Sequence, residues 1–274
     1  MRKRNKILAC ALAAAIFIAT GVGAKVLATS ETEDSTKQTD TETTKLTKTQ
    51  EESLKKIKAT YDVKNQEKTA EELEEKKSSQ EYTLSNMLIE YNPFGTNTQS
   101  LYVYFNTDEP VSVAYTVHAE DPKIQDFNRT VYQEEAYQKE HEFQVIGLIP
   151  DMENKVTFFL TKEDGSTDTK EIVFEMGSLM GTEDVQLDTD VEGDASQLED
   201  GLYVVLGNDS TALDFMYYYD NNGTLRGEVP LLGYRSHRLI FDKDFMYYSI
   251  SETKMAQLSR TGQVTNVFDL GDYE

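Results

Sequence analysis

Leu101-Tyr102-Val103-Tyr104-Phe105, followed by Val111-Ser112-Val113-Ala114-Tyr115-Thr116-Val117, decides the fold class. Both runs are rich in β-branched and aromatic residues. The second alternates apolar with small or polar side chains at a period of two, as a strand with one buried face requires. The pattern returns in Glu142-Phe143-Gln144-Val145-Ile146-Gly147-Leu148, in Lys155-Val156-Thr157-Phe158-Phe159-Leu160 and in Glu171-Ile172-Val173-Phe174. Turn residues separate the runs, and Asp164-Gly165 between the last two is a hairpin signal. Residues 81–176 therefore read as an all-β sandwich.

The passage from Leu148 through Pro150 to Val156 looks like the strand, corner, strand passage of fibronectin type III domains, a likeness of fold that carries no function. Residues 177–200 are an acidic linker, after which aromatics return. Asp214-Phe215-Met216-Tyr217-Tyr218 recurs as Asp244-Phe245-Met246-Tyr247-Tyr248, and a turn and strand lie beyond each copy, Asn221-Asn222-Gly223-Thr224-Leu225 and Arg260-Thr261-Gly262-Gln263-Val264. The two turn glycines are 39 residues apart, close to the roughly 40–45 of one propeller blade. A closed propeller takes typically about 4–8 blades, so residues 201–274 read as an incomplete β-propeller, its first blade, with an exposed aromatic edge.

At the other end, Arg2, Lys3, Arg4 and Lys6 precede the uncharged run Ile7–Ala24, with small residues through Ala28. Residues 1–28 have the layout of a secretory signal peptide. The 18-residue uncharged run also suits an uncleaved signal anchor, with residues 7–24 in the membrane. Either reading places the body outside the cytoplasm. Cys10, the sole cysteine, falls in this segment, so the remainder holds together without disulfides. Removing residues 1–28 leaves 49 acidic against 22 basic residues, a surface that repels nucleic acid and anionic lipid. Residues 29–80 are dominated by Thr, Ser, Glu, Lys, Asp and Gln, and read as a disordered polar stalk. Within it, Leu54, Ile57 and Tyr61, and then Glu71-Glu72-Leu73-Glu74, carry short helical patterns.

The lead-in Tyr91-Asn92-Pro93-Phe94-Gly95-Thr96-Asn97-Thr98-Gln99-Ser100-Leu101, then Val113 to Val117, His141 to Leu148 and Asn154 to Phe158, resembles the N-terminal domain of bacterial aryl-sulfate sulfotransferases. The resemblance continues into the blade hairpin from Tyr217 to Asp220 and Gly223. It implies an extracytoplasmic enzyme that moves a sulfuryl group from a phenolic sulfate ester to a phenol without a nucleotide donor. The site it implies lies in a propeller channel, where a histidine is transiently sulfated beside further histidines and an arginine. It also implies a homodimer. Those histidines belong to later blades, the first expected beyond Glu274, so the resemblance makes this chain an N-terminal portion that lacks them. The other reading is a secreted surface protein whose fibronectin-like module binds a partner without catalysis.

Three histidines are present: His118 and His141 read as solvated strand-end residues, and His237 sits between Arg235-Ser236 and Arg238. That cluster has the charge to contact a sulfate or phosphate ester, against the plainer reading of a loop at a blade edge. Asp188-x-Asp190-x-Glu192-Gly193 with Glu199 falls on a calcium-loop pattern, except that Glu replaces the usual Asp or Asn. No convincing helix flanks it and Ala195 replaces the usual aliphatic anchor, so calcium stands as the alternative to a plain acidic linker. The sequence calls for no other cofactor.

Overall fold

A computed structural model describes residues 46–188, 197, 199–206, 213–233 and 238–271, all within one compact unit, Thr44–Glu274. The described residues are mainly β-structure, as expected. Six strands make the first region: β1 (Leu88–Tyr91), β2 (Ser100–Ala119), β3 (Phe127–Thr130), β4 (Gln138–Ile146), β5 (Met152–Lys162) and β6 (Thr167–Met176). The two runs that opened the sequence reading are one 20-residue strand, β2. Its first half pairs with β1 and β4, its second half with β3 and β5, and β6 adds beyond β5. Its pairing with β4 breaks register between Asn106 and Val111, the stretch containing Pro110, which has no N–H to offer a ladder. Each half of β2 turns alternate side chains inward. Leu101, Val103 and Phe105 thus share one core with Val113, Tyr115 and Val117, and Phe143 of β4 meets Phe158 of β5 edge to face at 6.1 Å.

The corner before β5 is built by one amide. Asn154 Oδ1 accepts from the Ile149 N–H at 2.7 Å, and Asn154 Nδ2 donates to the Ile149 carbonyl at 2.8 Å. The Asp164-Gly165 hairpin forms as expected, with Gly165 at φ 85° and the Asp164 carboxylate accepting from Ser166.

Residues after 200 form two antiparallel sheets, β7 (Tyr203–Val205), β8 (Asp214–Tyr219), β9 (Leu225–Leu231) and then β10 (Leu239–Phe241), β11 (Phe245–Ser249), β12 (Lys254–Ser259), β13 (Val264–Asp269). The 39-residue spacing is a structural repeat. Asp220 N–H bonds to Thr224 O and Gly223 N–H to Asp220 O; Ser259 N–H bonds to Gln263 O and Gly262 N–H to Ser259 O. The irregularity in the ladder also repeats, at Tyr218/Tyr219 and at Gln257/Leu258. The recurring Asp-Phe-Met-Tyr-Tyr is a different matter. Its first copy is on β8, the strand entering the repeated hairpin, and its second is on β11, one strand earlier, so the two copies occupy non-equivalent places.

The stalk expectation fails from residue 48 onward. α1 (Lys48–Thr60) and α2 (Val63–Ser79) are helices, the first opened by a capping box between Thr47 and Gln50, the second capped by Asp62. Their larger apolar residues make a single buried stripe. Ile57 and Tyr61 enter the core of the two C-terminal sheets, and Leu73 packs with Tyr82, Leu88, Phe94, Tyr102 and Tyr104. Composition alone underrated the segment because helix stability in proteins comes mostly from tertiary burial of one stripe. Residues 29–45 and the run 7–24 lie outside the described residues. Among the described residues no helix is long and apolar enough to cross a membrane.

Candidate functional site

The lead-in between β1 and β2 is where the sandwich meets the first C-terminal sheet. Thr98 N–H donates to the Glu228 carbonyl at 3.0 Å, Asn97 Oδ1 accepts from the Gln99 and Glu228 N–H groups, and Gln99 Nε2 donates to the Leu148 and Leu225 carbonyls. Thr96 Oγ1 reaches the second sheet at the Gly262 carbonyl, 2.6 Å away. The turn that starts this segment holds Gly95 at φ 72°, and a Cβ there would stand 2.5 Å from Thr60 Oγ1. These contacts explain why every residue of β9 is buried although it is an edge strand of its sheet.

Two charged side chains of β9 are buried at this seam. Arg226 donates to Asp220 Oδ2 at 2.7 Å and to the Gln125 carbonyl at 2.6 Å, and its guanidinium lies 4.9 Å from the Phe127 ring centroid. Burial lowers its proton affinity while Asp220 opposes that. Glu228 accepts from Thr98 Oγ1 at 2.7 Å and from the Met180 and Gly181 N–H groups at 2.9 and 2.7 Å. Burial raises its pKa, partly offset by those three donors. The sequence reading passed over both, because charged residues in a strand ordinarily face water. No alternation singles them out, since every residue of β9 is buried and the pairing with β8 slips at Arg226. A third seam joins helix and sheets: Tyr61 OH donates to the Pro230 carbonyl at 2.5 Å and lies 3.0 Å from Tyr248 OH.

Between the sandwich and the two sheets opens a cleft of ≈ 1140 Å³. Val204, Val229, Met246 and Leu258 contribute apolar floor. At its mouth the Arg260 guanidinium lies 3.4 Å from the Tyr132 ring centroid, joining the sandwich to the β12–β13 hairpin.

Residues 88–177 match the arylsulfotransferase Ig-like domain, and residues 188–274 match arylsulfotransferase (ASST). The chain belongs to the arylsulfotransferase family. The two matched segments are the sandwich and the two-sheet region, and α1 and α2 precede both. No curated protein matches the chain.

The described histidines, His118 and His141, are committed to structure. His118 Nδ1 is 2.6 Å from Asp126 Oδ1 at the surface. His141 corrects the expectation of a solvated strand end: it lies within β4, 1 % exposed, stacked on Phe105 at 4.8 Å, with its pKa lowered to about 4 by burial. Its place follows from alternation, since it sits two residues before the inward Phe143. His237 and Arg235 lie outside the described residues, and Arg238 is exposed just before β10. Of the calcium pattern, Asp188 and Glu199 are exposed, while Asp190 and Glu192 lie outside the described residues. Among the described residues no group of three or more His, Cys, Asp or Glu side chains is placed to hold a metal ion.

Proposed function

We propose that this chain is the N-terminal portion of an aryl-sulfate sulfotransferase that works through a sulfo-histidine. The order of the two family matches, Ig-like domain then ASST, is the observation that carries this reading. In the transfer, a histidine nitrogen attacks sulfur as the S–O bond to the donor phenol breaks; an acceptor phenol oxygen then attacks sulfur, loses its proton and releases the imidazole. The described part supplies the scaffold: two sheets of one repeat, braced by the sandwich through Thr98, Gln99 and Glu228, from which a propeller continues. The basic, apolar N-terminus supports an extracytoplasmic body, released or anchored through residues 7–24, and the family resemblance supports a homodimer.

The test is release of a chromogenic nitrophenol from its sulfate ester with a phenol acceptor present. It compares the 274-residue chain with a form extended by any downstream reading frame. Turnover only in the extended form is the expected result. Turnover by the 274-residue chain that is lost in His237→Gln would put the nucleophile at His237 and refute the reading that the chemistry lies elsewhere.

A further inference from the structure

We propose that Gln66 and Thr96 plug a strand-docking slot at the β12–β13 turn of the second sheet, and that the segment this slot fits is Val185–Leu187 of a second copy of the chain. This is independent of sulfuryl transfer. The 39-residue repeat sets Gly223 on Gly262, Thr224 on Gln263 and Leu225 on Val264. At the first of these turns an extended piece of the acidic linker is seated. Leu187 N–H donates to the Gly223 carbonyl at 2.9 Å and Leu225 N–H donates to the Val185 carbonyl at 2.8 Å, with Gln186 opposite Thr224 in an antiparallel bridge. Side chains add to the seat: Gln186 Nε2 donates to the Asn222 carbonyl at 2.7 Å and Thr224 Oγ1 donates to Gln186 Oε1 at 3.0 Å. At the second turn the same two main-chain groups are taken by side chains instead. Thr96 Oγ1 donates to the Gly262 carbonyl at 2.6 Å, and Val264 N–H donates to Gln66 Oε1 at 3.0 Å. A hydroxyl stands where the Leu187 N–H would be, and an amide oxygen where the Val185 carbonyl would be.

Both plugs come from outside the sheet and are held from behind. Gln66 is on α2, which packs against β13 and precedes both family matches. Its side chain is buried, and Nε2 donates to the Thr60 and Phe94 carbonyls at 2.7 and 2.9 Å, which leaves Oε1 facing Val264. Thr96 is buried in the turn that follows Gly95. A main-chain N–H and carbonyl on a sheet edge must find partners, and when open they recruit another chain. The first sheet meets that demand with an extended segment and the second with two side chains, so the second turn keeps the geometry of strand pairing without a strand. Val185-Gln186-Leu187 carries no charge, as a segment entering a buried slot requires. Taken from a second copy, it would link two chains by strand addition. The plug keeps each segment on its own first sheet.

The probe is a fluorescein-labelled peptide of residues 183–188, titrated against the full chain by anisotropy at about 0.3 M salt, which screens the charge of both. The double variant Q66M/T96V frees the Val264 N–H and the Gly262 carbonyl, and should bind the peptide at least about tenfold more tightly than the parent. N-methylation of the peptide at its leucine removes the donor to Gly262 and should abolish that gain. T96V alone removes one hydroxyl and carries the test if the double variant does not fold; with only the carbonyl freed, the gain should be about threefold. In sedimentation equilibrium the double variant should self-associate at least about tenfold more tightly than the parent, and excess peptide should reverse it. Peptide binding that is equal in parent and variants, absent from the variants or indifferent to N-methylation overturns the proposal, as does self-association no stronger than the parent's.

Discussion

Acid should unfold this protein partly through one histidine. His141 is buried and stacked on Phe105, and its folded-state pKa is lowered from 6.5 to about 4 because burial disfavours the imidazolium. The unfolded state therefore takes up a proton first, so the contribution is intact above about pH 6.5 and is lost as the pH falls towards 4. With 1.36 kcal/mol per unit, the loss is about 1.4 kcal/mol at pH 5.5 and about 3 kcal/mol at pH 4. His141→Phe isolates the effect. Its ring keeps the stack on Phe105, Thr107 Oγ1 still donates to the Glu109 carbonyl at 2.8 Å, and the Gln133 amide still bonds to Val113 N–H and the Val111 carbonyl, while the Gln138 backbone loses its bond to the imidazole. At pH 7.5 the variant should lie within about 1.5 kcal/mol of the parent. Urea unfolding from pH 7.5 to 4 should show its stability, relative to the parent, rising by about 3 kcal/mol. Stability curves that run parallel, within about 1 kcal/mol across that range, would refute the assignment of His141 as a neutral core residue.

Arg226→Met should cost about 3–5 kcal/mol by stranding Asp220 and the Gln125 carbonyl, with Asp220→Asn/Arg226→Met recovering part of the loss in chemical denaturation. Tyr61→Phe removes the hydroxyl shared by Pro230 and Tyr248, and a loss of about 1–3 kcal/mol is expected; an unchanged melting temperature would mean that the helices do not brace the sheets. Gly147→Ala should destabilise by more than about 1 kcal/mol, since Gly147 sits at φ 94° and a Cβ would run into the Phe127 ring, and calorimetry checks it. For Glu228 the sign is opposite to that of His141. A carboxyl whose pKa is raised on folding loses stability as pH rises above about 4.5, so Glu228→Gln should unfold with a flatter pH dependence than the parent on that side.

Alternation and turn chemistry made the sandwich readable, because a strand with one wet face must show a period of two, and a turn needing positive φ must show Gly165, Gly223 or Gly262. The spacing of the last two glycines marked the repeat for the same local reason. The pentapeptide copies misled, since equal strand chemistry suits any strand of such a sheet and does not say which one. For the candidate site, the sequence offered charged clusters at 188–199 and 235–238. The structure leaves Asp188, Glu199 and Arg238 exposed and gathers its buried charge at Arg226 and Glu228 instead. Local pattern determined which segments form strands and which residues face inward along each. Tertiary structure alone decided what each face meets: that Ile57, Tyr61 and Leu73 draw a polar segment into two docked helices, that the inward-facing His141 stacks on Phe105, and that the Asn97 to Gln99 lead-in covers β9. Burial and pairing across 130 or more positions, as between Thr98 and Glu228, depend on contacts between distant segments, and no periodicity within one segment encodes them.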